Sequence, residues 1–212
     1  MKFSSLLSFV FAALLPAFAL QADDAKGPQL FQVCAACHGD QGQGNQALKA
    51  PTIAHNNVEY LIKQITKFKT GIRGAHPQDV EGLMMKPMML TLRDDADITA
   101  VATYISQLPE VKPESTIKDG DKTKGQMLYA TCLTCHGDKA QGYANPQIKA
   151  PSLQYLPDWY MLTQLRKFKE GIRGSNPKDT DGALMSPMAK MLADEQAQKD
   201  VIAYILSLTP SK

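Results

Sequence analysis

Four cysteines and two histidines stand in a spacing that few chemistries use: "CAACHGD" at residues 34–40 and "CLTCHGD" at 132–138. Two thiols three residues apart, followed at once by an imidazole, suit half a zinc site, a redox dithiol or the attachment of a haem. Zinc would need the two pairs brought together across almost a hundred residues, far outside ordinary ligand spacing. A thioredoxin-like dithiol needs a strand leading into a helix, and no strand pattern precedes either pair. C-x-x-C-H is the attachment signature of a c-type haem, in which the cysteines bond to the porphyrin edge and the histidine lies beneath the iron. Cys34, Cys37, Cys132 and Cys135 are therefore expected to hold two haem c groups, with His38 and His136 as proximal iron ligands.

The motif is doubled because most of the chain is doubled. "YLIKQITKFKTGIRGAHPQDVEGLMMKPM" at 60–88 returns as "YMLTQLRKFKEGIRGSNPKDTDGALMSPM" at 160–188. A six-coordinate haem needs a second axial group, and a group used in both halves should occur in both copies. His55 faces Tyr155 and His76 faces Asn176, so the spare histidines fail. Of the methionines only Met85/Met185 and Met88/Met188 recur. A lone Met is more often core filling, but two of them flanking a proline, repeated, point to a ligand. The residues alone leave both pairs open.

The elements that must position these groups read as helices. One leads into each haem motif, and a second covers roughly 58–70 and 158–170, stopped by Gly71 and Gly171. A third starts after Asp94 or Asp194, each a plausible N-cap. It carries Ile98, Val101, Ile105 and Leu108, or Val201, Ile205 and Leu208, as one apolar face. No alternating strand pattern is present, so the fold class is all-α. Between the copies, "LPEVKPESTIKDGDK" at 108–122 reads as an exposed linker. The expected division is a signal peptide at 1–22, an N-terminal domain at 23–108, a linker at 109–122 and a C-terminal domain at 123–212. Each domain is small enough that haem must supply much of its apolar core.

Lys2, a short apolar run over residues 6–15 and the small-x-small triplet at 17–19 make residues 1–22 a secretory signal peptide. The run is shorter than the ~20 residues a membrane span needs, so a soluble, exported, periplasmic protein is expected. Charges nearly cancel, with 23 Lys and Arg against 21 Asp and Glu, which gives no sign of nucleic-acid binding. In "KFKTGIRG" and its copy, Lys67, Lys69, Lys167 and Lys169 read as solvated cations at a helix end. Arg73 and Arg173, each in an I-R-G stretch, suit either that role or a fork onto a haem propionate. Asp79 and Asp179 read as loop surface. No nucleophile–base pair or paired carboxylates suggest an enzyme.

Gly27, Phe31, C-x-x-C-H, a Met-containing loop and a last helix bearing Tyr104 make up the pattern of a class I cytochrome c domain. The tandem behind a signal peptide resembles the dihaem cytochrome c4 family across the whole mature chain. The resemblance implies first and last helices crossing at Gly27/Phe31 and Tyr104, and at Gly125/Tyr129 and Tyr204. It implies two domains, each a few helices around a covalent haem, related by an approximate twofold with the propionates facing one another. It places the axial Met seven residues before Leu92 and Leu192, selecting Met85 and Met185. It also puts the carbonyl of Pro51 or Pro151 within reach of the proximal histidine. The implied function is electron transport in a respiratory chain, from quinol–cytochrome c reductase to a haem-copper terminal oxidase, with membrane contact only through partners. The alternative is a dihaem subunit of a periplasmic dehydrogenase, such as a sulfide-oxidising flavocytochrome.

Overall fold

In a computed structural model of the chain, residues 19–143 and 145–209 are described. The expected signal peptide falls outside them apart from residues 19–22, which open the first helix. Eight α-helices run in order: α1 (Ala19–His38), α2 (Val58–Lys69), α3 (Val80–Met88), α4 (Asp95–Ser106), α5 (Lys122–His136), α6 (Asp158–Lys169), α7 (Thr180–Lys190) and α8 (Glu195–Leu208). The described residues contain no strand, only an isolated bridge between Asn45 and Ala50. No helix among them is long and apolar enough to cross a membrane. The all-α reading holds, and α5–α8 repeat α1–α4.

In each half the first and last helices cross, α1 over α4 and α5 over α8. Their axes come close because a glycine sits at each crossing. A Cβ on Gly27 would lie 2.8 Å from the Ala100 carbonyl oxygen and 2.8 Å from Tyr104 Cβ. Beside the glycine, the Phe31 and Tyr104 rings pack 5.3 Å apart, and Tyr129 and Tyr204 repeat this at 5.4 Å. Phe31, Val101, Ile105 and Leu61 belong to one core; Tyr129, Val201, Ile202 and Met161 belong to the other. Each such apolar side chain contributes about 1.5–3 kcal/mol on burial, but neither core is large.

The expected caps are in place. Asp94 accepts from Asp97 N–H and Asp194 from Ala197 N–H, each at 2.8 Å. Gly71 and Gly171 follow α2 and α6 at φ +72° and +74°, the left-handed conformation that suits glycine after a C-cap. Two sequence expectations change. The Met-bearing segment is not a loop but helix, α3 and α7, despite Pro87 and Pro187 in their later turns. A proline so late in a short helix forfeits only one backbone bond. Asp79 and Asp179 are not loop surface: both are buried, and they cap α3 and α7 by accepting from Gly82 and Gly182 N–H at 3.3 and 3.1 Å. Residues 109–122 are exposed or half-buried throughout, as expected of a linker, but they are partly fastened. Asp158, at the start of α6, accepts from Thr116 N–H at 2.6 Å and Ile117 N–H at 2.8 Å.

Candidate haem sites

Each C-x-x-C-H motif forms the last turn of its helix, so Cys34 stands over His38 and Cys132 over His136 at i, i+4 on one face. Gly39 and Gly137, at φ +80° and +83°, then turn the chain away. The loop folds back at once: Gly44 N–H donates to His38 O at 2.7 Å and Gly142 N–H to His136 O at 2.8 Å. That return brings the prolines of "KAP" under the imidazoles. His38 Nδ1 lies 2.7 Å from Pro51 O, and His136 Nδ1 lies 2.9 Å from Pro151 O. A carbonyl only accepts, so Nδ1 carries the proton and the Nε2 lone pair faces away, free for a metal. Burial pushes both histidine pKa values down, outweighing the opposing bond to proline. Both rings stay neutral, as ligation requires.

The residues fit a covalently attached haem. His38 Nε2 is buried with no hydrogen-bond partner, which would be costly in a protein that used this atom for nothing. In the C-terminal half an apolar cavity opens above His136, walled by Cys132, Cys135, Pro151, Met185 and Leu192. Its lining is mostly apolar and it opens to solvent at one side, the character of a site for a flat apolar group. Cys34 and Cys132, the first thiol of each pair, do not suit the rival dithiol chemistry. Burial pushes the Cys34 thiol up to about 11, whereas a redox dithiol needs a lowered value.

The two methionine pairs differ in placement. Met85 packs half-buried against the N-terminal core, while Met88 is 41% exposed. Met185 is half-buried and Met188 is 37% exposed, although both line the cavity.

The other half completes part of the wall of the C-terminal cavity, through Tyr60, Gln64 and Lys67. Two of the four K-F-K lysines are not the solvated helix-end cations that the sequence suggests. Lys67 and Lys167 are buried, 8% and 4% exposed, because each crosses between the halves. Lys67 Nζ lies 2.5 Å from Asp179 Oδ1 and 3.0 Å from Asp181 Oδ2. Lys167 Nζ lies 2.5 Å from Asp79 Oδ1 and 2.5 Å from Glu81 Oε2. Lys69 and Lys169 fold the other way, onto the backbone carbonyls of Leu92 and Leu192 in their own halves.

Arg73 and Arg173 are not solvated either. Their guanidinium carbons lie 4.3 and 4.5 Å above the Phe68 and Phe168 rings, and each Nε is buried without a partner. Gln64 Oε1 accepts from Arg73 at 2.7 Å and from Arg173 of the opposite half at 3.3 Å; Gln164 accepts only from Arg173, at 2.7 Å. Sequence reasoning passed over Gln64 and Gln164, although their recurrence at the repeat offset marks them.

The chain matches the family described as Cytochrome c twice, over residues 25–109 and 123–209. A thiosulfate dehydrogenase electron acceptor from Thiomonas intermedia is 30% identical over 203 residues, covering 91% of this chain and 86% of that protein. A cytochrome c4 from Thiocapsa roseopersicina is 30% identical over 185 residues, covering 83% and 86%. The structure of reduced cytochrome c4 from Pseudomonas stutzeri aligns with a TM-score of 0.66 at 26% identity, over 88% of this chain and 96% of that one. A thiosulfate dehydrogenase from Marichromatium purpuratum gives the same TM-score at 30% identity over 87% of this chain, which spans only 40% of that longer protein. The chain belongs to the cytochrome c family, and its tandem arrangement makes it a member of the dihaem cytochrome c4 family. It carries two covalently bound haem c groups, at Cys34/Cys37 and Cys132/Cys135, and its work is electron transfer with redox protein partners.

Proposed function

We propose that the mature chain, domains 23–108 and 123–212 joined by 109–122, is a periplasmic dihaem carrier of single electrons and not an enzyme. In this reading His38 and Met85 are the axial ligands of one iron, and His136 and Met185 those of the other. Bound haem supplies the one-electron couple. The chain's part is to fix each imidazole through Pro51 or Pro151 and to present a neutral thioether from α3 or α7. His/Met ligation raises a haem potential and fills the position that peroxide or oxygen would need. The observation that carries the reading is the sameness of the two sites: the same Nδ1–carbonyl bond and the same half-buried methionine. A dihaem peroxidase would need one haem able to open its sixth position, and so two unlike surroundings.

The proposed donor is quinol–cytochrome c reductase and the acceptor a haem-copper terminal oxidase. Similarity to a thiosulfate dehydrogenase electron acceptor and to a thiosulfate dehydrogenase favours a second reading. There the chain takes electrons from a periplasmic dehydrogenase, one acting on thiosulfate rather than a sulfide-oxidising flavoprotein. Stopped-flow reduction of the oxidised holoprotein tests both. Fast reduction by the quinol-driven reductase, with none by a thiosulfate dehydrogenase and thiosulfate, supports the first reading; the reverse supports the second. Rapid turnover of peroxide would overturn both.

A further inference from the structure

We infer that Lys67 and Lys167 are positioning residues that act in trans: each holds the Met-bearing helix, and so the sixth iron ligand, of the opposite half. The inference rests on the reading that α3 and α7 carry the axial methionines.

The contacts are crossed. Lys167, on α6 of the C-terminal half, reaches Asp79 and Glu81 of the N-terminal half. Lys67, on α2, reaches Asp179 and Asp181 of the C-terminal half. Asp79 and Asp179 are the N-caps of α3 and α7, and cap and lysine share the same Oδ1. Glu81 and Asp181 stand one turn before Met85 and Met185, at i and i+4, so the lysine grips the face that bears the methionine. Lysine and cap are almost fully buried in both copies, and a buried ion pair stays fixed because neither partner can turn to water.

The other end of each Met segment is held in cis. Lys69 Nζ donates to Leu92 O at 2.5 Å, and Lys169 donates to Leu192 O and, at 2.7 Å, to Ala193 O. The lysines of K-F-K therefore divide the work: the first clamps the partner half's Met helix at its start, the second its own Met segment at its end. A thioether is a neutral ligand whose place depends on the backbone that presents it, and groups behind a ligand tune its hold on a metal. Docking of the halves and ligation of each iron become one event.

Imidazole, which competes for a sixth position, tests this in the full-length holoprotein. Met85→Ala and Met185→Ala first assign the optical change at each haem. Lys167→Ala should then raise imidazole affinity at the N-terminal haem by about tenfold, the scale expected for loss of a group behind a ligand, and leave the C-terminal haem unchanged. Lys67→Ala should do the converse, and Lys167→Arg should restore ligation. Asp79→Asn keeps the cap oxygen and loses the charge, so it should act as Lys167→Ala does, and it serves if that variant does not mature. Glu59→Ala breaks an exposed pair between the halves, with Lys149 at 2.6 Å, and should change neither site. An effect at the haem of the lysine's own half, equal effects at both haems, or the same effect from Glu59→Ala would overturn the inference. Failure of the ligand reading shows separately, as Met85→Ala leaving the N-terminal site closed. Because Met88 also lies on α3, the crossed pattern is then read against Met88→Ala.

Discussion

The Cβ that Gly125 lacks would stand 2.0 Å from the carbonyl oxygen of Asp200. The side chain is missing because the backbone of α8 occupies its place, and this close approach sets the angle at which α5 presents Cys132 and His136. The corresponding Gly27 is less tight, 2.8 Å from the Ala100 oxygen.

Gly125→Ala should therefore destabilise the C-terminal half by about 1–3 kcal/mol through overpacking, set against a helix-propensity gain of up to about 1 kcal/mol. Gly27→Ala should cost less. Denaturant unfolding of the two holoproteins, followed at the haem absorbance, gives the order; a larger loss at Gly27 would contradict the packing argument.

Attachment is checked by mass. The exported protein should weigh two haems more than its processed chain, and Cys132→Ser with Cys135→Ser should remove one. A stoichiometric zinc signal in place of haem would contradict the site assignment.

Met85→Ala should open only the N-terminal haem and Met185→Ala only the C-terminal one. In each case the near-infrared band of ferric Met–haem ligation should lose about half its intensity, since thioether ligation is lost at one of two centres. If Met88→Ala and Met188→Ala produce the loss instead, the ligand lies one turn further along.

Acid should undo the crossed ion pairs. Burial works to raise the pKa values of Asp79, Glu81 and Asp181, but the lysine hydrogen bonds and charges outweigh it and hold all three below their ordinary values. A carboxylate with a lowered folded pKa contributes stability above its unfolded value, near ~4, and loses it as pH falls through the folded value. The part of the unfolding stability that these carboxylates contribute should thus be constant from neutral pH down to about 5 and fall below about 4. In the Lys67→Ala, Lys167→Ala double variant that acid-dependent part should shrink, as denaturant titrations across pH will show.

Much of this molecule is local in origin and so was legible without coordinates. C-x-x-C-H specifies its cofactor because covalent attachment needs only adjacent residues. Asp94, Asp194, Gly71 and Gly171 end or begin helices through bonds made within a few residues of themselves. Repetition supplied a second filter, reducing the axial candidates to two methionine pairs. The tertiary structure decided what depends on distant partners. It placed Pro51 under His38, buried Met85 more than Met88, and folded the Met segments as helices whose caps are satisfied from across the interface. Lys67 and Asp79 read as surface groups because a charged residue looks solvated until its partner is known. Here each partner lies in the other copy, about a hundred residues away in sequence, and only the packing of one half against the other brings the charges together.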